Sequence, residues 1–529
     1  MNSFKWGNRA GNIGLKKAMK SSSKALALSA MASAGALFLN EHYFRTTPRG
    51  PVVWSPGVGE TFKIANAHVI DLEKGVVESD HDLLVSNGRI EKIFSPGNEA
   101  ITADKTIDAN GMYIIPGLIN AHCHMLWPGT FNLSLEYLSS VPRQVERNFE
   151  ECVVHGVTTV RDVGNPPRLL RRYIERVERE DLLGPRVYYA GSFIGPPGCY
   201  PSDYCPPFPE ILVKRWGQIV QYVNSPSEAR DAVKRNLEEG SSCIKIAFDS
   251  RSLLYGEKPL NILDDESLKA VVDEAHDNGV KVLCHHRFRT GLKRINDFDV
   301  DDGEHCAADE VLDDSDVEAF VAAGRCLVPT IQVPWGLSFI SPNDPYNDDP
   351  QVREFMADRL QRMRTVYADV CEPAVYRAIY KMEMLYRDPK YTERRHILPV
   401  AATTVFTKAA VIGPVNLNKF YHAGALIGCG NDGGCPQLFT CHLGLEMLLM
   451  DLTTDMEPID TLRSATINNA RIMGIEDELG SVAEGKIADL VLLSGNPLEG
   501  LEPIMSPQAV FKGGKLAFNA HPSFLRRIK

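Results

Sequence analysis

The chain has 529 residues, which is enough for one large domain and a smaller one. Its apolar content of 44% and charged content of 24% are ordinary for a globular protein. The formal net charge of -11 gives no support to nucleic-acid binding, so we expect no nucleic-acid partner.

The first residues differ from the rest in charge. Residues 1–24 carry six Lys or Arg and no acidic residue, and they lead into an apolar run at residues 25–40. This order is typical of a secretory signal or a signal anchor, and its Ser- and Lys-rich composition also fits a mitochondrial presequence. We expect residues 1–50 to be a targeting leader and linker outside the folded domains. Its expected destination is the secretory pathway or a membrane contacted through residues 25–40, with the mitochondrion as the alternative.

Both ends of the remaining chain are rich in short strands. Residues 51–115 contain runs such as FKIANAHVID and HDLLVSNGRIEKIF, and Asn87-Gly88 is a strong hairpin signal. Residues 479–529 contain GKIADLVLLSG and AVFKGGKLAF. These two ends are expected to form one small sheet domain.

The middle of the chain, residues 116–478, alternates strands and helices, which indicates a parallel sheet with crossover helices. The strand candidates are MYIIPGLINAH, GVTTVRDV, PRVYYAGSF, CIKIAF, VKVLCHH, DGEHC, RCLVPTIQ and ALIGCGND. Residues 264–279 illustrate a connecting helix, with acidic residues at its start and Gly279 at its end. Eight such units predict an α/β protein with a (β/α)8 TIM barrel, whose active site lies at the C-terminal ends of the strands.

A long helical insertion is predicted at about residues 335–420, between the seventh and eighth strands. Long insertions after barrel strands often shape or cover the pocket. Packing between subunits of a homo-oligomer is the alternative role for this segment.

Polar residues follow the apolar strands at the predicted C-terminal edge. The candidate metal ligands are His122, His124, Lys245, His285, His305 and Asp432. Imidazole and carboxylate suit divalent metals such as zinc, and the pattern predicts hydrolysis by metal-activated water. His122 and His124 alternate along a strand, so their imidazoles face the same way.

Lys245 and Asp432 carry the chemical part of this hypothesis. A lysine in the apolar strand CIKIAF is costly unless it is paired or neutral, and a neutral amine reacts with CO₂. The product, N6-carboxylysine, is an anion able to bridge two cations. Asp432 is the candidate catalytic acid and base, which would take a proton from water and give it to a leaving amine. The structural alternatives are a buried salt-bridging lysine and a turn-capping aspartate.

The other histidines are weaker candidates. His285 and His286 are adjacent, so on a strand only one of them faces the site. His155 and His276 lie on helical faces and are interpreted as structural, while His422 and His442 stay unassigned.

Arg161 and Arg287 lie near strand ends and are the candidate substrate-binding residues. A guanidinium binds a carboxylate through two parallel hydrogen bonds, so we expect a small substrate with a free carboxylate beside the scissile bond. A structural ion pair, of Arg161 with Asp162 or another acid, is the alternative.

These residues, together with PGLINAHCH, GEHC, GCGNDGG and the closing stretch ATINNARIMGIEDELGSVAEGKIADLVLLSGNPLE, resemble the amidohydrolase superfamily. Within it, the chain is similar to the Xaa-Pro dipeptidase, imidazolonepropionase-like and ochratoxin-hydrolase group. The resemblance implies amide hydrolysis at a binuclear centre and a β-sandwich made from both chain ends. It assigns one cation to His122, His124 and Asp432, another to His285 and His305, and the bridge to Lys245.

The chain departs from the relatives in two places: Arg287 stands where they often have a histidine, and Asn431 replaces the threonine of their GTD turn. Hydrolysis of a cyclic amide or lactone, and a non-catalytic scaffold of the same fold, are the alternative functions. Cys199 and Cys205 are the best candidates for a disulfide in an oxidising compartment.

Overall fold

The structure is a computed structural model. It describes residues 31–33, 35–37, 53–96, 101–130, 134–202, 205, 207–252, 258–338, 370–378, 400–435, 438–521, 524–525 and 528. Most of the predicted leader and much of the predicted insertion lie outside these ranges.

Strands occur at both ends of the described chain and between the helices. They are β1 (Phe62–Asp71), β2 (Val76–Ser86), β3 (Arg89–Phe94), β4 (Lys105–Asp108), β5 (Tyr113–Pro116), β6 (Leu118–Cys123), β7 (Val157–Asp162), β8 (Arg186–Tyr189), β9 (Phe193–Gly195), β10 (Val220–Tyr222), β11 (Cys243–Ala247), β12 (Lys281–His285), β13 (Asp302–Glu304), β14 (Cys326–Val328), β15 (Leu426–Ile427), β16 (Leu490–Leu493), β17 (Ala509–Lys512) and β18 (Lys515–Asn519).

One sheet contains strands from both ends of the chain. Its order is β18-β17-β16-β5-β1-β2-β3, and β4 pairs with β1. Asn87 and Gly88 have φ values of 48° and 76° in the turn between β2 and β3, as the hairpin prediction requires. Phe62, Leu490 and Phe511 belong to a separate hydrophobic cluster built from these strands. The two chain ends therefore form one sheet.

The strands of the middle region form two larger parallel sheets, β6-β7-β8 and β11-β12-β13-β14-β15, besides the parallel pair β9-β10. Backbone hydrogen bonds cross from one sheet to the other on both sides, from Ala121 N to Cys429 O at 3.0 Å and from Ser242 N to Tyr189 O at 2.8 Å. Every one of the eight predicted strand segments contains a strand.

The first of those segments is two strands rather than one. β5 joins the sheet of the chain ends, and β6 begins the parallel sheet. They are separated by Gly117, where a Cβ atom would lie 2.1 Å from Thr158 Oγ1. The side chain of any other residue would collide there, so glycine permits the close approach.

Helices connect most of the parallel strands. They are α1 (Leu135–Val154), α2 (Pro167–Glu178), α3 (Glu210–Trp216), α4 (Pro226–Glu238), α5 (Asp265–Asp277), α6 (Arg289–Asp297), α7 (Asp314–Ala322), α8 (Gln332–Ser338), α9 (Val400–His422), α10 (Leu443–Thr453), α11 (Pro458–Arg463) and α12 (Asn469–Met473). In α5, the Asp264 side chain caps the helix by accepting from Ser267 N at 2.7 Å, and Leu268 and Val271 are buried as predicted. Among the described residues, no helix is both long and apolar enough to cross a membrane.

Six residues of the predicted leader are described, and one of them packs against the middle region. Residues 31–33 and 35–37 are helical. Leu37 is 7% exposed and belongs to the same hydrophobic cluster as Tyr137 and Val141 of α1. Its apolar side chain thus stabilises contact with the middle region, because burial removes it from water.

Candidate metal centre

The predicted ligands lie at one edge of the parallel strands. His122 is in β6 and His124 follows it, Lys245 is in β11, and His285 is the last residue of β12. His305 follows β13, and Asp432 lies in the turn after β15. All six residues are buried.

Two of the histidines face the Asp432 carboxylate. His124 Nε2 is 3.1 Å from Asp432 Oδ1, and His122 Nε2 is 3.4 Å from the same oxygen. Burial raises the pKa of Asp432, but the charge of His122 and the close contacts with both imidazoles outweigh it. The pKa therefore lies well below its usual value, and the carboxylate is ionised.

The other two histidines face each other. His305 Nε2 is 2.8 Å from His285 Nδ1. Burial lowers the pKa of both groups well below the usual value, and the Arg287 charge lowers that of His285 further. Both imidazoles are thus neutral and able to offer a lone pair to a cation.

The far nitrogen of each imidazole has its own partner. His122 Nδ1 donates to the Glu304 carboxylate, and His124 Nδ1 donates to Gly164 O at 3.1 Å. His285 Nε2 lies 3.1 Å from Asp249 Oδ2, and His305 Nδ1 lies 2.6 Å from Thr330 Oγ1. Metal-binding histidines characteristically hold such outer partners, which fix the tautomer and leave the inner nitrogen available to a metal. The four inner nitrogens converge on the space beside Asp432.

Lys245 has the features expected of a modified lysine. Its side chain is 1% exposed, and within the described residues its Nζ has no hydrogen-bond partner. Burial lowers its pKa, which favours the neutral amine. An unsatisfied buried amine is costly, and a carbamate at this position would replace it with an anion able to meet cations. The donor set therefore fits a pair of divalent cations.

The turn that carries Asp432 is held by its neighbour. Asn431 Oδ1 accepts from Asn120 at 2.8 Å and from Gly433 N at 3.0 Å, and Asn431 Nδ2 donates to Phe439 O at 2.7 Å. Asp432 itself has a φ of 51°. Such left-handed conformations are uncommon outside glycine and cluster at functional sites, where surrounding contacts maintain them. Asn431 thus preserves the turn despite its departure from the GTD pattern.

The two predicted substrate-binding arginines have different surroundings. Arg161 is 3% exposed, and its guanidinium lies 2.7 Å from Asp302 Oδ2 and 2.8 Å from Glu304 Oε1. These contacts correspond to the structural ion pair, formed with acids other than Asp162, and not to a carboxylate-binding residue at the pocket. Arg161 departs from the predicted substrate-binding role because it is buried and its charge is already paired with these two carboxylates.

Arg287 lies nearer the surface. Its Nε donates to Asp249 Oδ2 at 2.6 Å, and its guanidinium carbon is 5.2 Å from the centre of the Tyr200 ring. That ring in turn stacks on His285 at a centroid distance of 3.7 Å. Part of the Arg287 side chain stays exposed (19%), so it borders the metal centre without being enclosed.

The outer partners Glu304, Asp249 and Thr330 were not predicted from the sequence. The signal for Glu304 was an acid immediately before His305. Asp249 follows the lysine strand and Thr330 follows β14, but neither has a diagnostic spacing. Their roles follow from the packing of strand ends, which the sequence alone does not specify.

The five weaker histidine candidates lie away from the converging nitrogens. His286 is fully buried against Gly291 and Gly303, opposite to His285, as the strand alternation predicts. His276 pairs with Asp301 at 2.9 Å, and the exposed His422 pairs with Asp455 at 2.7 Å. His155 and His442 form an edge-on ring contact with each other.

Cys199 and Cys205 are both buried and are not joined in a disulfide. Their pairing in an oxidising compartment stays a prediction.

Known proteins share this architecture. A prolidase solved with N-methylphosphonate-L-proline is 21% identical, with a TM-score of 0.65 over 87% of this chain and 100% of its own. A Xaa-Pro dipeptidase solved with methionine in its active site is 24% identical, with a TM-score of 0.64 over 86% of this chain and 99% of its own. These likenesses establish a TIM-barrel-like α/β fold.

Among curated sequences, an uncharacterized protein of Mycobacterium tuberculosis (strain ATCC 25618 / H37Rv) is 26% identical over 230 residues, which are 43% of this chain and 53% of that protein. The chain thus spans about half the length of this relative. The sequence model of the amidohydrolase family matches residues 113–517, and on this match over most of its length the chain belongs to that family.

Proposed function

We propose that the protein is a binuclear metal-dependent hydrolase that cleaves an amide bond in a small substrate bearing a free carboxylate. The observation that carries this proposal is the convergence of four imidazoles, each with its far nitrogen held by a partner, beside Asp432 and an unsatisfied lysine. Loss of ligands is expected in a non-catalytic scaffold, whereas the whole set is present here.

The proposed ligand assignment divides the site into two halves. His122, His124 and Asp432 would hold one cation, His285 and His305 the other, and carboxylated Lys245 would bridge them. Zinc fits the nitrogen and oxygen donors best. When bound, the two cations would supply an activated water and polarise the scissile carbonyl.

Asp432 would move the proton. Its ionised carboxylate accepts a proton from the attacking water as the new carbon–oxygen bond forms. It then donates that proton to the amide nitrogen as the carbon–nitrogen bond breaks. The products are a carboxylic acid and an amine, and the carboxylate of Asp432 is restored.

Arg287 is the proposed contact for the substrate carboxylate. It borders the centre, is partly exposed, and is oriented by Asp249, which also contacts His285. Arg161 is not proposed for this role because its guanidinium is already paired with Asp302 and Glu304. The fold likeness to a prolidase and a Xaa-Pro dipeptidase supports a peptide-like substrate.

The same proposal includes two finer features of the fold. The hydrogen bonds that link the two parallel sheets on both sides support a closed (β/α)8 barrel. The sheet built from both chain ends supports a separate β-sandwich beside it.

Metal analysis of the purified protein tests the centre. We expect close to two divalent ions per chain, because the ligands form two sets joined by one bridge. A single ion, with Lys245→Ala leaving the metal content unchanged, would reject the bridge.

A substrate panel tests the reaction. Dipeptides and N-acyl amino acids should be hydrolysed faster than the matching C-terminal amides and esters, because only the former pair with Arg287. Equal turnover of charged and uncharged analogues would count against carboxylate recognition while leaving amide hydrolysis intact.

A further inference from the structure

A thiol lies beside the first half of the metal centre. Ligand atoms of His124, Asp432 and Cys435 all lie within 4.8 Å of one another. Three donors around one divalent ion, each about 2.0–2.3 Å from it, are separated by distances of this order. The spacing therefore suits a shared cation.

The backbone holds this thiol in position. Asp432 N donates to His122 O at 2.9 Å, and His124 N donates to Gly433 O at 2.7 Å, so the turn is attached to the strand that carries the histidines. Cys435 N then donates to Asp432 O at 3.3 Å. Asp432 and Cys435 are consequently presented to the same space by one short turn.

Gly434 makes that presentation possible. Its φ is 108°, and a Cβ atom there would lie 2.3 Å from His124 O. The turn therefore passes against the strand with no room for a side chain between Asp432 and Cys435. This close approach brings the sulfur to the metal centre.

A second observation indicates that the site lacks a partner. Asp432 is 5% exposed, and its Oδ1, which faces His124 and His122, has no hydrogen-bond partner in the described part of the chain. Cys435 itself is only partly buried and packs beside Phe288, Val333, Leu337, Phe406 and Leu438. A cation at this point would be met by nitrogen, oxygen and sulfur and would be shielded by an apolar wall.

We propose that Cys435 is an additional, thiolate ligand of the cation held by His122, His124 and Asp432. This inference rests on the metal centre of the proposed function and adds a soft donor to it. On binding, the thiol proton is released to solvent and a sulfur–metal bond forms, with no change in oxidation state. Thiolate favours Zn²⁺, Co²⁺ and Cd²⁺ over Mn²⁺ and Mg²⁺, so Cys435 would set the metal preference of the enzyme.

Cobalt loading of the full chain tests this role independently of activity. Bound Co²⁺ gives visible d–d bands that report its coordination, and a thiolate ligand adds a charge-transfer band in the near ultraviolet. The variant is Cys435→Ser. The control is Cys306→Ala, because Cys306 is next to His305 but packs in the hydrophobic core.

The wild-type protein and the control should show the charge-transfer band, and Cys435→Ser should lose it while keeping the d–d bands. X-ray absorption of the zinc-loaded wild type and of the control should show a sulfur neighbour at about 2.3 Å from the metal. Cys435→Ser should lack this neighbour. The preference for Zn²⁺ over Mn²⁺ should fall by about tenfold or more in Cys435→Ser, since loss of even an outer partner typically costs 10–100-fold in affinity.

The outcomes separate this inference from the function on which it rests. Cobalt bound with d–d bands but without a charge-transfer band would overturn the thiolate ligand and leave the metal centre intact. A band that persists in Cys435→Ser would overturn it as well. Failure of the wild type to bind cobalt or zinc would overturn both the ligand and the metallohydrolase proposal.

Discussion

The two halves of the proposed metal centre differ in how they balance charge. The half formed by His122, His124 and Asp432 contains an ionised carboxylate, and the outer partner of His122 is another carboxylate, Glu304. The half formed by His285 and His305 contains only imidazoles, whose pKa values burial lowers well below the usual value. The first half brings negative charge to a cation, whereas the second brings lone pairs alone.

This difference gives the bridge a larger role in the second half. Arg287 places a positive charge near His285, which opposes cation binding, although Asp249 lies between them. A carbamate on Lys245 would supply the missing negative charge. We therefore expect the cation at His285 and His305 to be the first removed by chelators.

Asp432→Asn should have the largest effect, because Asp432 is both a proposed ligand and the proposed proton carrier. We expect kcat/KM to fall by about 10³-fold or more, given 10²–10⁴-fold for a general acid–base alone. Asp455→Asn, at an exposed surface pair, is the matched control. Substantial remaining activity in the metal-loaded variant would assign the proton transfer to another group.

Lys245→Ala should come next and should affect the second half more than the first. We expect the metal content to drop from about two ions to about one, and kcat to fall by about 10²-fold or more, because charge stabilisation in a dry site is a large catalytic term. A short carboxylate added to the buffer should restore part of the activity. Mass analysis of the active, metal-loaded wild type that shows an unmodified amine would refute the carbamate.

The sequence predicted that the six proposed ligands lie at one edge of the strands because the signals were local. A histidine or lysine at the end of an apolar strand is visible in one short segment, and parallel strands bring such ends to one edge. The helix at Asp265–Asp277 and the Asn87-Gly88 turn were equally local and are confirmed.

The arginines and the leader were not predictable in this way. The sequence places Arg161 and Arg287 in equivalent positions, yet one is enclosed by Asp302 and Glu304 and the other borders the centre. Which acid meets which guanidinium depends on the packing of distant strands. Leu37 likewise reads as part of an apolar targeting segment, and only the structure shows its contact with the core.

The outer partners allow each half to be weakened separately. Glu304→Gln should lower metal affinity in the first half, and Asp249→Asn should do so in the second, each by about 10–100-fold. Glu304→Gln should also lower stability, because it removes one of the two carboxylates that compensate the buried Arg161 charge. Competition with a chromophoric chelator measures the affinities. Equal loss of both ions in each variant would mean that the halves are not independent.

The variants Arg161→Met and Arg287→Met test whether Arg161 has a structural role and Arg287 a substrate-binding role. Arg161→Met should destabilise the protein by about 3–5 kcal/mol, because removing one partner leaves buried charges uncompensated. Arg287→Met should instead raise KM for carboxylate substrates by about tenfold, with little change for their amides, since a charged hydrogen bond contributes about 1.5–3 kcal/mol. Denaturant unfolding and steady-state kinetics distinguish them. A KM effect from Arg161→Met in a stable protein would reverse the assignment.

Deleting residues 1–45 should have the smallest effect on the chemistry, because all the proposed ligands lie after residue 120. The structure adds a stability cost, since the deletion removes Leu37 from the cluster that contains Tyr137 and Val141. Burying a leucine contributes about 1.5–3 kcal/mol, so the truncated protein should unfold at lower denaturant concentration with unchanged kcat. Leu37→Ala should reproduce part of that loss, while replacing the exposed Met31 by Ala should not.

Cell fractionation of the same variants tests the targeting role: truncation should change the location of the enzyme, and Leu37→Ala should leave it unchanged. If the truncated protein kept full stability, the contact at Leu37 would not hold in solution; if it kept its fold and metals but lost turnover, the leader would belong to the catalytic unit.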